Sequence, residues 1–316
     1  SRHTWDPERY LTYADERGRP FVDLLSRVGA TEVDRVVDLG CGPGNLTALL
    51  KERWPGSEVL GLDSSPQMVE RAREQGPAGV RFEVADLREW EARPPVDVLV
   101  SNATLQWVPG HLDLLPRLVA QVAPGGWFAF QVPGNFGEPS HVLLHELARD
   151  DRFRQYVDGV ARPDAFGPEV YLEALMGLGC RVDAWETTYL HLLQGEDPVF
   201  TWISGTGARP VLQALPPALR EEFEAEYKAL LRNAYPPGAH GTVLPFRRVF
   251  VAAQVMDHAM TLDSLVRWSG FVRDTELRRS LGAAIPVIEA HLAAARRLYA
   301  GLNRARPAAT DSAGAR

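Results

Sequence analysis

Residues 36–44 read Val-Val-Asp-Leu-Gly-Cys-Gly-Pro-Gly, a short apolar run that enters three glycines at alternate positions. A second apolar run closes on Asp63, 19 residues beyond Gly44. A chain passing close beneath a ligand needs residues without Cβ at the turn, and Gly40, Gly42 and Gly44 stand where a strand-to-helix turn puts them. An acid at the distance of Asp63 suits the two hydroxyls of a ribose. Together these features predict a bound adenosine.

The phosphate content of that ligand decides its class. A dinucleotide fingerprint counted from Gly40 needs its third glycine at position 45, which is Asn45. Asp38, two places before the first glycine, would repel phosphates and suits a cationic amino-acid tail instead. S-adenosylmethionine meets both conditions. The plain structural alternative is a glycine turn that binds nothing, and downstream partners weigh against it. Residues 80–86 alternate as a strand and end on Asp86, a candidate acceptor for the adenine amino group, with Leu87 beside it. Residues 97–103 form a buried-type strand that ends near Asn102. In open α/β sheets ligands bind outside the carboxyl ends of the strands, so Asp38, the three glycines, Asp63 with Ser64, Asp86 with Leu87, and Asn102 are expected to line one crevice.

The chain has 316 residues and a formal net charge of −7, which argues against a nucleic-acid partner. Two distant cysteines, Cys41 and Cys180, argue against a disulfide framework. No apolar run approaches the ~18 residues of a membrane span, so a cytoplasmic enzyme, monomeric and without a membrane partner, is expected. Phe21, Leu24, Leu25 and Val28 predict a helix over 20–29; Ser65 and Pro66 predict a helix start. Strands and helices then alternate, giving an α/β, Rossmann-like, doubly wound and mostly parallel seven-stranded sheet in a domain spanning 1–252. The sixth and seventh strands are placed near 181–190 and 242–251, with Pro245 confined to an edge, a strand start or a bulge. Between them, 190–241 reads as a helical lid. Residues 253–303 read as helices ended or kinked near Pro286, and 304–316 as a disordered tail. His258 and His291 could suggest a metal, but without nearby Glu pairs they read as ordinary histidines of a helical surface or core.

Residues 5–252 resemble the trans-aconitate methyltransferases, a family of class I S-adenosylmethionine-dependent enzymes. The match rests on Trp5-Asp6-Pro7 with Tyr10 and Arg17, Asp38 to Thr47, Gly61-Leu62-Asp63-Ser64-Ser65-Pro66 and Ser101-Asn102-Ala103-Thr104-Leu105-Gln106-Trp107-Val108-Pro109. It continues through Gln131-Val132-Pro133-Gly134-Asn135 with Pro139-Ser140-His141, Trp185 to Tyr189, and Val243 to Arg248. The glycine loop is shared by the whole methyltransferase class, whereas the Asn102 to Pro109 and Gln131 to Asn135 segments are more specific. The last 60 or so residues weakly resemble the closing helices of a ferritin-like four-helix family.

The resemblance implies methyl transfer to a carboxylate of a small tricarboxylate, trans-aconitate. Such an acid, with a pKa near ~4, is already ionised at neutral pH, so no catalytic base and no metal is nominated. About three negative charges call for cationic partners. Arg247 and Arg248 are adjacent on a strand and face opposite ways, so one of them is expected to reach the crevice. Arg209 and Arg17 are further candidates, and Gln106, Trp107, His141 and Tyr189 complete the expected substrate wall. Two alternatives stay open: a methyltransferase for another small or carrier-bound carboxylate, and a non-catalytic S-adenosylmethionine-binding protein.

Overall fold

The computed structural model describes residues 18–256, 275 and 279–290. Contacts divide the chain into two units, 1–255 and 256–316. The first is built on seven strands: β1 (Arg35–Leu39), β2 (Glu58–Asp63), β3 (Val80–Val84), β4 (Val96–Asn102), β5 (Val122–Pro133), β6 (Cys180–Leu193) and β7 (Thr242–Val255). They lie in the order β3-β2-β1-β4-β5-β7-β6. β3 through β5 are parallel, while β7 runs antiparallel to both β5 and β6. The strand order reverses direction between β1 and β4, which leaves a crevice at their carboxyl ends.

The central strands are apolar on both faces, and the structure shows why. Val37, Leu39, Leu99, Phe128 and Phe130 pack on one face, and Val36, Val98, Val100 and Ala129 on the other. The first face is covered by α4 (His111–Val119) and α7 (Pro168–Met176), through Leu115, Leu118, Tyr171 and Leu175. The second is covered by α1 (Arg19–Ser26) and α2 (Ala48–Arg53), through Phe21, Leu24, Leu25, Leu49 and Leu50. Ser65 caps α3 (Pro66–Gln75) by accepting from the Met68 amide at 3.4 Å, with Pro66 at the first helical position as expected.

Pro245 also finds the edge that it needs. β5 pairs with β7 from Arg248 to Gln254, and the Gly134 amide still donates to the Arg247 carbonyl, so residues 242–246 are paired only to β6, in a ribbon that continues beyond the rest of the sheet. A residue without an N–H is tolerated there because one side of the strand has no ladder to complete.

That ribbon carries a helical cap. Three helices come from the expected insertion: α8 (Pro198–Ser204), α9 (Arg209–Ala214) and α10 (Pro217–Ala234). The insertion is only half of it. α5 (Pro139–Leu147) and α6 (Asp151–Val157), which follow β5, share its core, with Leu144, Phe153 and Val157 against Ile203, Val211, Phe223 and Tyr227. Two hydroxyls from α10 and its end hold the start of α5: Tyr227 donates to the Ser140 carbonyl at 2.6 Å, and the Ser140 amide donates to Tyr235 at 3.1 Å.

Two boundaries move. β7 runs to Val255, so a domain edge at 252 falls inside a strand whose last residues still pair with β5 and β6. In the second unit residues 279–290 are helical through Pro286, which therefore does not end the helix. His258, His291, Arg17 and the 304–316 tail lie outside the described residues.

Phe223 is fully buried and meets the Phe153 ring edge-on at 5.0 Å between centroids. Phe223→Ala is expected to cost about 3–5 kcal/mol of stability through the cavity it leaves, read as a lower urea midpoint.

Candidate active site

The glycine turn after β1 is left-handed at three alternate positions: Gly40, Gly42 and Gly44 have φ of 75°, 56° and 79°. What each faces differs. A Cβ on Gly40 would lie 2.1 Å from the Thr104 hydroxyl, and one on Gly44 would lie 2.7 Å from the Phe82 ring, so both are forced by packing. Among the described residues, a Cβ on Gly42 meets no heavy atom within 4 Å. The turn thus folds against protein at its ends and opens at its middle, which is the form of a cradle for a ligand.

Asp63, the last residue of β2, ties this turn down. One carboxylate oxygen accepts from the Gly42 amide and the other from the Ser65 amide, both at 2.9 Å. Each oxygen keeps a lone pair for a further donor. Asp38 stands behind the turn, buried, and accepts from the Thr47 hydroxyl at 2.7 Å. Burial pushes its carboxyl up to about 6, with Thr47 opposing and the neighbouring Asp63 charge adding to the rise.

Asp86 sits just past β3 and is engaged by Arg88, whose Nε is 3.0 Å from both carboxylate oxygens. An adenine amino group would have to share that carboxylate with the guanidinium. Ser64 is exposed and Leu87 packs on the sheet core. These residues stand at the carboxyl ends of β2 and β3, outside the wall of the main cavity.

That cavity has a volume of about 750 Å³ and lies between the carboxyl ends of β4 and β5 and the cap, a size suited to small ligands. Pro43, Asn45 and Leu46 of the turn form one wall; Asn102, Ala103, Gln106 and Trp107 follow β4. Asn135, Phe136 and His141 follow β5, and Trp202, Thr206, Gly207 and Arg209 come from the cap, with Phe246 and Arg248 from β7. Ala103 holds a left-handed φ of 54°, uncommon for a residue with a Cβ. Its amide donates to the Gln131 carbonyl and its own carbonyl accepts from Gln106 Nε2 at 2.6 Å. That contact leaves Gln106 Oε1 buried with no hydrogen-bond partner among the described residues, and Asn135 Oδ1 is in the same state. Two unpartnered acceptors in one cavity wall suit a ligand that brings donors.

Of the expected arginines, Arg248 is buried and lines the cavity, over the Phe246 ring at 4.9 Å. Arg209 lies exposed at the rim. Arg247 is a correction: it turns to the other face, where it donates to the Gly134 carbonyl and pairs with Glu186 at 2.9 Å. Tyr189 is a second correction. It lies opposite Phe246 and so on the same face of the sheet, but its hydroxyl donates to Asp23 of α1 at 2.6 Å and its ring packs with the core residues beneath α1, which takes it out of the cavity lining. Gln106, Trp107, His141 and Arg209 do converge on the cavity. The sequence reading nominated none of Asn135, Phe136, Trp202 and Phe246; Asn135 and Phe246 stood in quoted motifs, while Phe136 and Trp202 had no signal beyond apolar character.

His141 is buried and its Nε2 lies where a Cβ on Gly207 would come within 2.6 Å, so the cap loop closes directly over it. Burial, with a smaller contribution from His145, holds it down to about 4. It is therefore neutral at pH 7. A folded pKa below the unfolded value contributes stability that is present above about 6.5 and lost as pH falls toward about 4. His141→Asn is expected to remove about 3 kcal/mol of that acid sensitivity, read as a shallower fall in urea midpoint between pH 6.5 and 4.

Comparison with known proteins places this geometry in a family. The sequence model of a methyltransferase domain matches residues 36–126. The chain is 53% identical over 262 residues to a trans-aconitate 2-methyltransferase of Streptomyces coelicolor, covering 79% of this chain and 86% of that one. With the trans-aconitate 2-methyltransferase of Streptomyces avermitilis the identity is 54% over 259 residues, covering 79% and 96%. The solved structure of the YcgJ protein from Bacillus subtilis aligns with a TM-score of 0.50 at 13% identity, over 77% of this chain and 100% of that one, a likeness of fold alone. With half of its aligned residues shared along nearly the full length of such relatives, this chain belongs to the trans-aconitate 2-methyltransferase family.

Proposed function

We propose that the protein transfers the methyl group of S-adenosylmethionine to a carboxylate oxygen of trans-aconitate, giving a monomethyl ester and S-adenosylhomocysteine. The observation that carries this reading is a cavity with an open glycine cradle at its edge and a buried arginine, Arg248, in its wall. The relatives named for the same reaction support it.

The residues fit the cofactor without a pyrophosphate site. Gly42 gives it room, Asp63 offers ribose acceptors, and the unpartnered Gln106 Oε1 suits an ammonium group. When bound, S-adenosylmethionine supplies an electrophilic methyl carbon on a sulfonium. The chain's own work is then to hold a carboxylate oxygen in line with that carbon. Arg248 and Arg209 neutralise substrate carboxylates, and Trp107 and Trp202 bound the space. The acceptor is ionised before it binds, so no proton needs to be removed, and His141, neutral and held beneath Gly207, is not asked to act as a base. Alignment and exclusion of water by the cap can contribute about 7–11 kcal/mol.

Turnover with labelled S-adenosylmethionine on trans-aconitate, cis-aconitate, citrate, isocitrate and itaconate tests the reading. Ester formation is expected to be strongest on trans-aconitate; cofactor binding without transfer to any acid overturns it. Asp63→Ala removes the ribose acceptors and frees the Gly42 amide. It is expected to weaken S-adenosylhomocysteine binding at least about tenfold, the value of one charge-assisted hydrogen bond, and unchanged affinity in calorimetry refutes the assignment.

A further inference from the structure

Arg248, Gln131 and Asn102 form a side-chain relay whose hydrogen-bond polarity has one solution. A guanidinium carries donors only, so across the 3.1 Å contact with Arg248 the amide of Gln131 must present Oε1. Gln131 Nε2 is then the atom 2.6 Å from Asn102, and the acceptor there must be Oδ1. Terminal amides can ordinarily be turned through 180° without visible consequence. Here the arginine at one end removes that freedom from both amides.

The consequence falls on the cavity. Asn102 lines it, and with Oδ1 committed to Gln131 its remaining polar atom is Nδ2, a donor whose protons no acceptor among the described residues takes. Gln131 is 1% exposed and does not line the cavity, so it acts only through its two neighbours. Backbone pairing holds it in place: it lies opposite Asn102 on β4 and Phe250 on β7. One buried amide therefore sets the sense of a donor at the end of β4 and holds the guanidinium that lines the cavity from β7.

We propose that Gln131 is a positioning residue that fixes Asn102 as a donor toward the cavity and aims Arg248, so that this end of the site receives carboxylate groups. The proposal rests on the methyltransferase reading above. Two sources can bring that carboxylate: the methyl acceptor, or the amino-acid tail of the cofactor. An Asn102 turned the other way would present an acceptor and favour an ammonium group in the same place.

Two substitutions reverse the polarity while keeping shape. Asn102→Asp still accepts from Gln131 but turns an anionic oxygen to the cavity. Gln131→Glu still accepts from Arg248 but has no N–H to give, so Asn102 must turn Nδ2 toward it and present Oδ1 outward. The test is calorimetric binding of three ligands to wild type and both variants: S-adenosylhomocysteine, 5′-methylthioadenosine, which lacks the amino-acid tail, and trans-aconitate added to the S-adenosylhomocysteine complex. Each variant is expected to weaken one carboxylate ligand at least about tenfold, with methylthioadenosine unchanged within about twofold.

Loss on S-adenosylhomocysteine but not on methylthioadenosine assigns the carboxylate to the cofactor tail. Loss on trans-aconitate alone assigns it to the methyl acceptor. Equal weakening of both nucleosides marks a merely structural role and overturns the proposal, as does no change in any ligand. Should Gln131→Glu fail to fold, Asn102→Asp at its half-buried position decides by itself. If wild type binds S-adenosylhomocysteine but not trans-aconitate, the substrate reading fails on its own, and the comparison of the two nucleosides still decides the relay.

Discussion

The close approach of the glycine turn to Thr104 and Phe82 is the constraint on which the rest of the structure depends. With a Cβ 2.1 Å from Thr104 at Gly40 or 2.7 Å from Phe82 at Gly44, β1 could not turn where it does. Those two contacts seat the turn between β2 and β4, with the Gly40 and Cys41 amides donating to the Leu62 carbonyl at 2.7 and 3.0 Å. Only then does Asp63 reach the Gly42 amide, and only then does the middle of the turn open to the crevice. Small residues here serve packing at two positions and ligand approach at the third, so the three glycines do not have one common cause.

A second constraint operates across β4, β5 and β7. Asn102, Gln131 and Arg248 come from three neighbouring strands, and their side chains meet because Asn102 lies opposite Gln131 while Arg248, two residues from Gln131's partner Phe250, reaches it diagonally on the same face. Buried polar groups of this kind are costly unless every member is satisfied. Satisfaction leaves a single polarity, so the donor offered to the cavity follows from the strand pairing. Ala103, held left-handed with its amide on Gln131 and its carbonyl on Gln106, shows the backbone adapting to the same junction.

The cap has a core of its own in which α5 and α6, following β5, pack on helices inserted between β6 and β7. Joining two distant segments through Phe153, Phe223 and Tyr227 makes it a packed layer over the carboxyl ends of the sheet. Gly207 and His141 meet where that layer closes on the cavity wall, and the same closure keeps the imidazole neutral.

The sequence by itself determined the sheet, the turn and its acids, because alternate glycines, strand-ending carboxylates and apolar periodicity are local signals that act over one strand and one helix. It also determined that Arg247 and Arg248 face opposite ways, since a strand has a period of two. Which of them met the cavity was decided by tertiary structure, through the pairing of β7 with β5. The same holds for Tyr189, whose hydroxyl met Asp23 of α1, 166 positions away in the chain. Side-chain partners and amide polarity depend on residues tens of positions apart being brought within about 3 Å, and no local pattern encodes that distance.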